Sequence, residues 1–251
     1  MTVVLVHGNP ETPAIWGPLC AALGRDDVVT PRLPGFGQPA PPGFGAAHRD
    51  YVEWLVAELE GVVALHGPVD LVGHDWGGGF VVPVACQRPD LLRTWATDVM
   101  ALYEPRYVWH DMAQVWQTPG AGEEAVAGMV QLPLADRVGL FEGLGMPPDV
   151  AADCAGALDA EMGRCILALY RSAAQPFMAG HFELLPAAAV RPGLALVPTE
   201  DPYTGGVDLH RCAAAQALAR VELLDGLGHW WMLEDPDRGA EILTRFWMEA
   251  R

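Results

Sequence analysis

Val69-Asp-Leu-Val-Gly-His-Asp-Trp-Gly-Gly-Gly-Phe80 is the stretch whose reading decides the fold. A short, mostly apolar run leads directly into Gly-x-Asp-x-Gly, and a segment of helical character follows. An apolar run without polar alternation reads as a strand buried on both faces. Gly73 and Gly77 carry no side chain to obstruct a tight turn from strand to helix. Such a turn lifts its central side chain, here Asp75, out at the C-terminal edge of the sheet.

Working outward, short β-branched runs recur at Thr2–Val6, Asp27–Thr30, Trp95–Val99, Leu194–Val197 and Arg220–Leu224. Amphipathic segments separate them. This alternation predicts an α/β fold with a mainly parallel sheet flanked by helices. After the second strand, Tyr51, Leu55, Leu59 and Val62 repeat at helical spacing, with Asp50 and Glu53 as a capping box. Near the end, Asp235 caps a last helix, Pro236 fits its first turn, and Leu243, Phe246 and Trp247 give it a core face. Residues 103–188 break the rhythm with helix-like, Trp- and Met-rich segments and no convincing strand. They are expected to form an inserted helical cap over a core made of residues 1–102 and 189–251.

The 251 residues suit one domain with an insertion. Apolar residues at 51% supply a large core, and Gly 28 with Pro 22 stay below the roughly 25–30% of low-complexity chains. A net charge of −17 repels phosphate backbones and anionic lipid, so neither nucleic acid nor a membrane is an expected partner. Cys20, Cys86, Cys154, Cys165 and Cys212 are odd in number and scattered. They fit reduced thiols in a cytoplasmic protein better than disulfides or a zinc site. The opening MTVVLVHGNP has no basic n-region or cleavage site, so no signal peptide is expected.

Three further elements carry chemistry. His7-Gly8-Asn9-Pro10 follows the first strand and can set the Asn9 N–H opposite that of Trp76, forming an oxyanion hole, with His7 holding the loop. Gly226-Leu227-Gly228-His229-Trp230 follows the last strand, so that His229 can reach back to Asp75. Thr199-Glu200-Asp201-Pro202 follows the strand before it, and Asp201 can accept the His229 N–H and fix its tautomer. The order Asp75, Asp201, His229 is that of nucleophile, acid and base.

These residues together resemble the α/β-hydrolase fold, in its branch with an aspartate nucleophile: the epoxide hydrolases and haloalkane dehalogenases. The resemblance covers nearly the whole chain and includes Gly35-Phe36-Gly37 and Trp116-Gln117-Thr118-Pro119-Gly120. It implies that Tyr170, before Arg171, is the late cap tyrosine that donates to an epoxide oxygen. It also implies that Asn9 and Trp76 could hold a halide, and that Trp109, Trp116 and Trp230 wall the pocket. The two strands that usually open this fold are absent, which predicts a shorter sheet. The earlier cap tyrosine has no counterpart, with Met112 in its register and Tyr107, Trp109 and His110 nearby. Asp98 is a rival acid, but in the ungapped register it falls one residue short of the family position.

A carboxylate is already ionised at neutral pH and needs no base to attack a saturated carbon. The expected reaction therefore runs through an ester on Asp75 that water, activated by His229, then cleaves. No metal or organic cofactor is implied. The expected ligands are a small apolar substrate and water. Epoxide opening to a diol is the favoured chemistry, halide displacement the alternative, and a non-catalytic ligand-binding member of the fold the remote one.

Overall fold

A computed structural model describes residues 2–250. Six strands form one parallel sheet: β1 (Val3–Val6), β2 (Val28–Val29), β3 (Val69–Gly73), β4 (Leu92–Thr97), β5 (Gly193–Pro198) and β6 (Arg220–Leu224). Their spatial order is β2-β1-β3-β4-β5-β6. Every residue of β1, β3 and β5 is buried, so both faces of the central sheet are covered. Helices α1 (Gly17–Leu23), α2 (His48–His66) and α3 (Trp76–Gln87) accompany the first half of the sheet. Between β4 and β5 the chain forms no strand: a 3-10 turn (Met100–Tyr103) leads to α4 (Asp111–Gln117), α5 (Ala121–Gln131), α6 (Leu134–Gly143), α7 (Pro148–Ala157) and α8 (Ala160–Ser172), then 3-10 turns over Ala179–Val190. Helices α9 (Val207–Gln216), α10 (Trp231–Glu234) and α11 (Pro236–Glu249) complete the described chain. Among the described residues, no helix is long and apolar enough to cross a membrane.

Two local expectations are corrected. The strand expected at Trp95–Val99 runs instead from Leu92 to Thr97. Arg93 and Thr94 look too polar for a central strand, but both bind the buried Asp70 of β3, Thr94 through its hydroxyl at 2.6 Å. A buried carboxylate with two donors is tolerated where an unpaired one is not. Asp50 does not cap α2 from outside but sits inside its first turn, where its carboxylate accepts the Ala47 N–H at 3.0 Å. Asp235 caps α11 as expected, accepting the Arg238 N–H at 3.1 Å.

The topology explains where a site can form. From β1 the chain moves outward to β2, then returns past β1 to β3, so the connections leave β1 and β3 in opposite directions. In open parallel sheets this switch point leaves a crevice at the C-terminal strand ends. The loops after β1 and β3 meet there, and close packing of the turn requires its glycines. A Cβ on Gly77 would lie 2.1 Å from the Val6 carbonyl oxygen, and one on Gly73 would lie 2.4 Å from the Gly77 backbone.

The Gly77→Ala variant is expected to lose about 3 kcal/mol or more, the upper end of overpacking costs, because backbone cannot step aside. Gly61→Ala, in an exposed and open stretch of α2, is expected to gain about 0.5–1 kcal/mol. Urea midpoints of the two variants against the parent check both signs.

Candidate active site

Asp75 occupies the turn between β3 and α3 with φ 48° and ψ −126°, a conformation that non-glycine residues avoid. Its backbone N–H donates to Asp98 Oδ1 at 3.0 Å, and the His74 N–H donates to the Val6 carbonyl at 3.0 Å. The strained turn is thus held from both sides. The Asp75 carboxylate accepts the Asn9 backbone N–H at 2.9 Å, and the Trp76 N–H also lies against it. His7 secures the Asn9 loop: its Nε2 accepts the Leu33 N–H at 3.1 Å and its Nδ1 donates to the Gly8 carbonyl at 2.9 Å. Burial lowers the His7 pKa to about 4, so the ring is neutral.

His229 stands across from Asp75 on the loop after β6. Its Nδ1–H donates to Asp201 Oδ2 at 2.8 Å, and its Nε2 lies 3.8 Å from Asp75 Oδ2. Asp201 is held in turn by the Tyr203 N–H at 2.7 Å. Burial acts to lower the His229 pKa, but the Asp201 charge and hydrogen bond carry it above the ordinary value. Burial would raise Asp201, yet His229 keeps it below the usual carboxylate range. Asp75 is raised to about 6, chiefly by burial and further by the charge of Glu11, while His229 and His74 oppose the shift. Asp98, the rival acid, bonds elsewhere.

Behind this array lies a second, fully buried one. His74 Nδ1 donates to Asp98 Oδ2 at 2.6 Å and its Nε2 to Glu11 Oε1 at 3.2 Å. Burial opposes protonation of His74, but its two carboxylate partners raise the pKa well above the ordinary value. Burial would likewise raise Glu11, whose pKa falls instead to about 2 beside His74. Glu11 also accepts the Gly8 N–H at 2.9 Å and the Trp230 indole N–H at 2.5 Å. Asp98 Oδ2 accepts the Trp231 indole N–H at 2.7 Å. None of these roles is legible in the sequence: Glu11 lies just past the His7-Gly8-Asn9-Pro10 motif, and His74 is a free position within Gly-x-Asp-x-Gly. Glu11, His74 and His229 bring one ligand atom each within 4.8 Å, the grouping among the described residues that approaches metal-site spacing. Both His74 nitrogens and His229 Nδ1 are already committed to carboxylates, so the cluster is a hydrogen-bonded array.

A cavity of about 290 Å³ opens onto Asp75 and His229. Asn9, Trp116, Tyr170 and Trp230 line it, in keeping with the sequence, alongside His110, Tyr203, Phe141 and Leu158. Trp109 does not reach this cavity. It stacks on Trp76 at 5.5 Å between centroids, and both border a small void beside Asp75 with room for about one water molecule. The Tyr170 phenol is raised well above its ordinary pKa, first by burial and then by the Asp75 charge, while the Trp76 and Asn9 side chains beside it work the other way. The Asn9 amide group and the Trp76 indole N–H have no hydrogen-bond partner within the protein. His110 caps α4, its Nδ1 accepting the Ala113 N–H at 3.3 Å, and burial lowers its pKa to about 4.

Residues 3–242 match the profile of the Alpha/beta hydrolase family. A haloalkane dehalogenase of Mesorhizobium japonicum is 32% identical over 137 residues, covering 50% of this chain and 42% of that protein. A (E)-2-((N-methylformamido)methylene)succinate hydrolase of Acinetobacter baylyi is 31% identical over 96 residues, 38% of this chain and 35% of that one. The matches thus span less than half the length of these two relatives. Among solved structures, a haloalkane dehalogenase of Bradyrhizobium elkani superposes with a TM-score of 0.72 at 22% identity, covering 99% of this chain and 91% of that one. An E-2-(acetamidomethylene)succinate hydrolase gives 0.74 at 18% identity, covering 98% and 91%. At these identities the superpositions speak to the fold, whereas the profile spans nearly all of the chain. With its parallel sheet and its strand-to-helix turn at Asp75, the chain belongs to the α/β-hydrolase family.

Proposed function

We propose that this hydrolase opens an apolar epoxide through an ester on Asp75. In this reading one Asp75 oxygen attacks a ring carbon, the carbon–oxygen bond to that carbon breaks, and the ring oxygen leaves as an alkoxide that accepts the Tyr170 O–H. His229 Nε2 then takes a proton from water, and the hydroxide adds to Asp75 Cγ. The Asn9 and Trp76 backbone N–H groups stabilise the resulting oxyanion. Collapse breaks the bond between Asp75 Cγ and the ester oxygen; the proton held by His229 and that of the added hydroxide pass to the two product oxygens, which frees the diol and restores the carboxylate. Asp201 orients His229, and residues 103–188 act as the cap that brings Tyr170 over the core of residues 1–102 and 189–251.

The observation that carries this reading is that Tyr170 lines the same cavity as Asp75 and His229, whereas Trp76 does not. A leaving alkoxide needs a hydroxyl donor that substrate can reach, and Tyr170 is such a donor. A second reading, halide displacement, has its own support. The Asn9 amide and Trp76 indole N–H are buried donors without acceptors, as a halide would require, and a relative 32% identical over half of this chain is a haloalkane dehalogenase.

Replacing His229 by Gln is expected to leave attack by Asp75 intact and block ester hydrolysis. Intact-protein mass after incubation with a terminal alkyl epoxide should then show a stable adduct; turnover by the parent without any adduct in the variant would count against the ester. Attack requires ionised Asp75, so single-turnover adduct formation should fail as pH drops. Its midpoint in His229→Gln is expected above the value of about 6, because the His229 charge that holds the Asp75 pKa down is gone. A midpoint near that of a free carboxylate, about 4, would contradict the effect of burial. Tyr170→Phe separates the two leaving groups. Epoxide turnover is expected to fall about 100-fold, as when one oxyanion donor is lost, with bromoalkane turnover far less affected. If Tyr170→Phe spares the epoxide and Asn9→Ala abolishes bromide release, the dehalogenase reading prevails.

A further inference from the structure

His110 precedes α4 and borders both the cavity and the small void beside Asp75. It therefore stands near the reacting end of the cavity. Its Nδ1 accepts the Ala113 N–H, so the single ring proton of the neutral imidazole is on Nε2. Among the described residues, no acceptor meets that Nε2–H. The capping bond and the surrounding rings fix its direction. His110 lies edge-on to Tyr203 at 5.1 Å and to Tyr170 and Trp116 at 6.4 Å each. In the proposed reaction the leaving oxygen already has a donor in Tyr170, whose hydroxyl lies beside the Asn9 and Trp76 side chains. His110 is placed differently. The closest of its three ring contacts is Tyr203, whose own ring lies 5.0 Å from that of His229.

We infer that His110 Nε2–H binds a second oxygen of the substrate, one that does not react, close to the carbon attacked by Asp75. Nε2 donates and cannot accept, so the matching group has a lone pair and no proton to place: an ether or carbonyl oxygen. That group is also uncharged. Asp75 is the one Asp, Glu, Lys or Arg in the cavity wall, so no cation there offsets a ligand carboxylate. An all-carbon chain over His110 displaces water from Nε2–H without replacing the bond, and a donor left unmet weakens binding about tenfold. The substrate class is thus narrower than an apolar epoxide: its chain is interrupted near the ring by an ether or carbonyl oxygen, and His110 sets that preference. This rests on the proposed ester chemistry for which end of the ligand reacts, but the oxygen preference can be tested without reaction.

Heptan-1-ol and 2-butoxyethanol have chains of equal length and differ by one methylene replaced with an ether oxygen; neither undergoes displacement. Each can be titrated against the full chain, with Trp116 and Trp230 in the cavity wall supplying a fluorescence signal. The comparison is between the parent and His110→Ser, in which serine can still cap α4 but does not reach the place of Nε2–H. The ratio of the two affinities cancels the different hydration of the alcohols, and it is expected to shift about tenfold against 2-butoxyethanol in the variant. A displaced α4 would weaken both alcohols alike, so an unchanged ratio overturns the inference. With butyl glycidyl ether and 1,2-epoxyoctane as substrates, the variant should raise KM for the ether about tenfold and leave kcat on epoxyoctane within about twofold. A loss of kcat on epoxyoctane as large as that of Tyr170→Phe would put Nε2–H on the reacting oxygen and also overturn the inference. If the parent turns over neither epoxide while the alcohol ratio shifts as expected, the ester chemistry fails and the oxygen preference stands.

Discussion

The Val6 carbonyl oxygen and the Gly77 backbone approach so closely that no Cβ fits between them. That approach joins the end of β1 to the start of α3, and the rest of the site hangs from it. It brings the Asn9 N–H to the Asp75 carboxylate and lets the His74 N–H reach Val6. It also forces Asp75 into a positive-φ conformation that costs about 1–3 kcal/mol. The Asp98 carboxylate, accepting the Asp75 N–H, is the nearest compensation. Geometry at Asp75 is thus maintained by backbone packing on one side and a buried acid on the other.

Burial of charge is the second constraint. Glu11, Asp75, Asp98 and Asp201 surround only two imidazoles, His74 and His229, whose centroids lie 4.6 Å apart. Such a cluster is tolerable because nearly every oxygen has a donor: backbone N–H groups, an imidazole or a tryptophan indole. The His74 imidazolium does more than balance charge. It opposes the rise in the Asp75 pKa and works against the rise that Asp201 imposes on His229, so it favours an ionised Asp75 beside a neutral His229. That combination is the one the proposed chemistry needs near neutral pH.

The sheet is legible because buried parallel strands write continuous apolar runs into the chain; β1 and β5 each end within one residue of the runs that predict them. The positions of Asp75, Asp201 and His229 followed because each lies just beyond a strand's C-terminal end, where a parallel sheet gathers its loops. β4 is displaced from the run that predicts it because Arg93 and Thr94 are polar locally and are satisfied from far away, both by Asp70, 23 and 24 residues off in sequence, and Arg93 also by the Trp247 carbonyl. The Glu11–His74–Asp98 array escaped for the same reason. Its contacts join positions 63 and 24 apart, and the Trp230 bond to Glu11 spans 219, so no periodicity or motif announces them. Tyr203 is equally hidden, since a cavity wall drawn from separate helices and loops has no signature in chain order.

Trp230 and Trp231, the two residues after His229, donate to different buried carboxylates: Trp230 to Glu11 beside the Asn9 loop, Trp231 to Asp98 beneath Asp75. The segment bearing the His229 imidazole is therefore bolted independently to each of the two loops that frame Asp75. Displacing it would break two charge-assisted hydrogen bonds, each worth about 1.5–3 kcal/mol, and strand two carboxylates in the interior. The three loops are consequently a single rigid jaw. The opposing wall is built differently: α4, α5, α6 and α8 meet the cavity mainly through apolar side chains, whose contacts can shift without leaving a charge uncompensated.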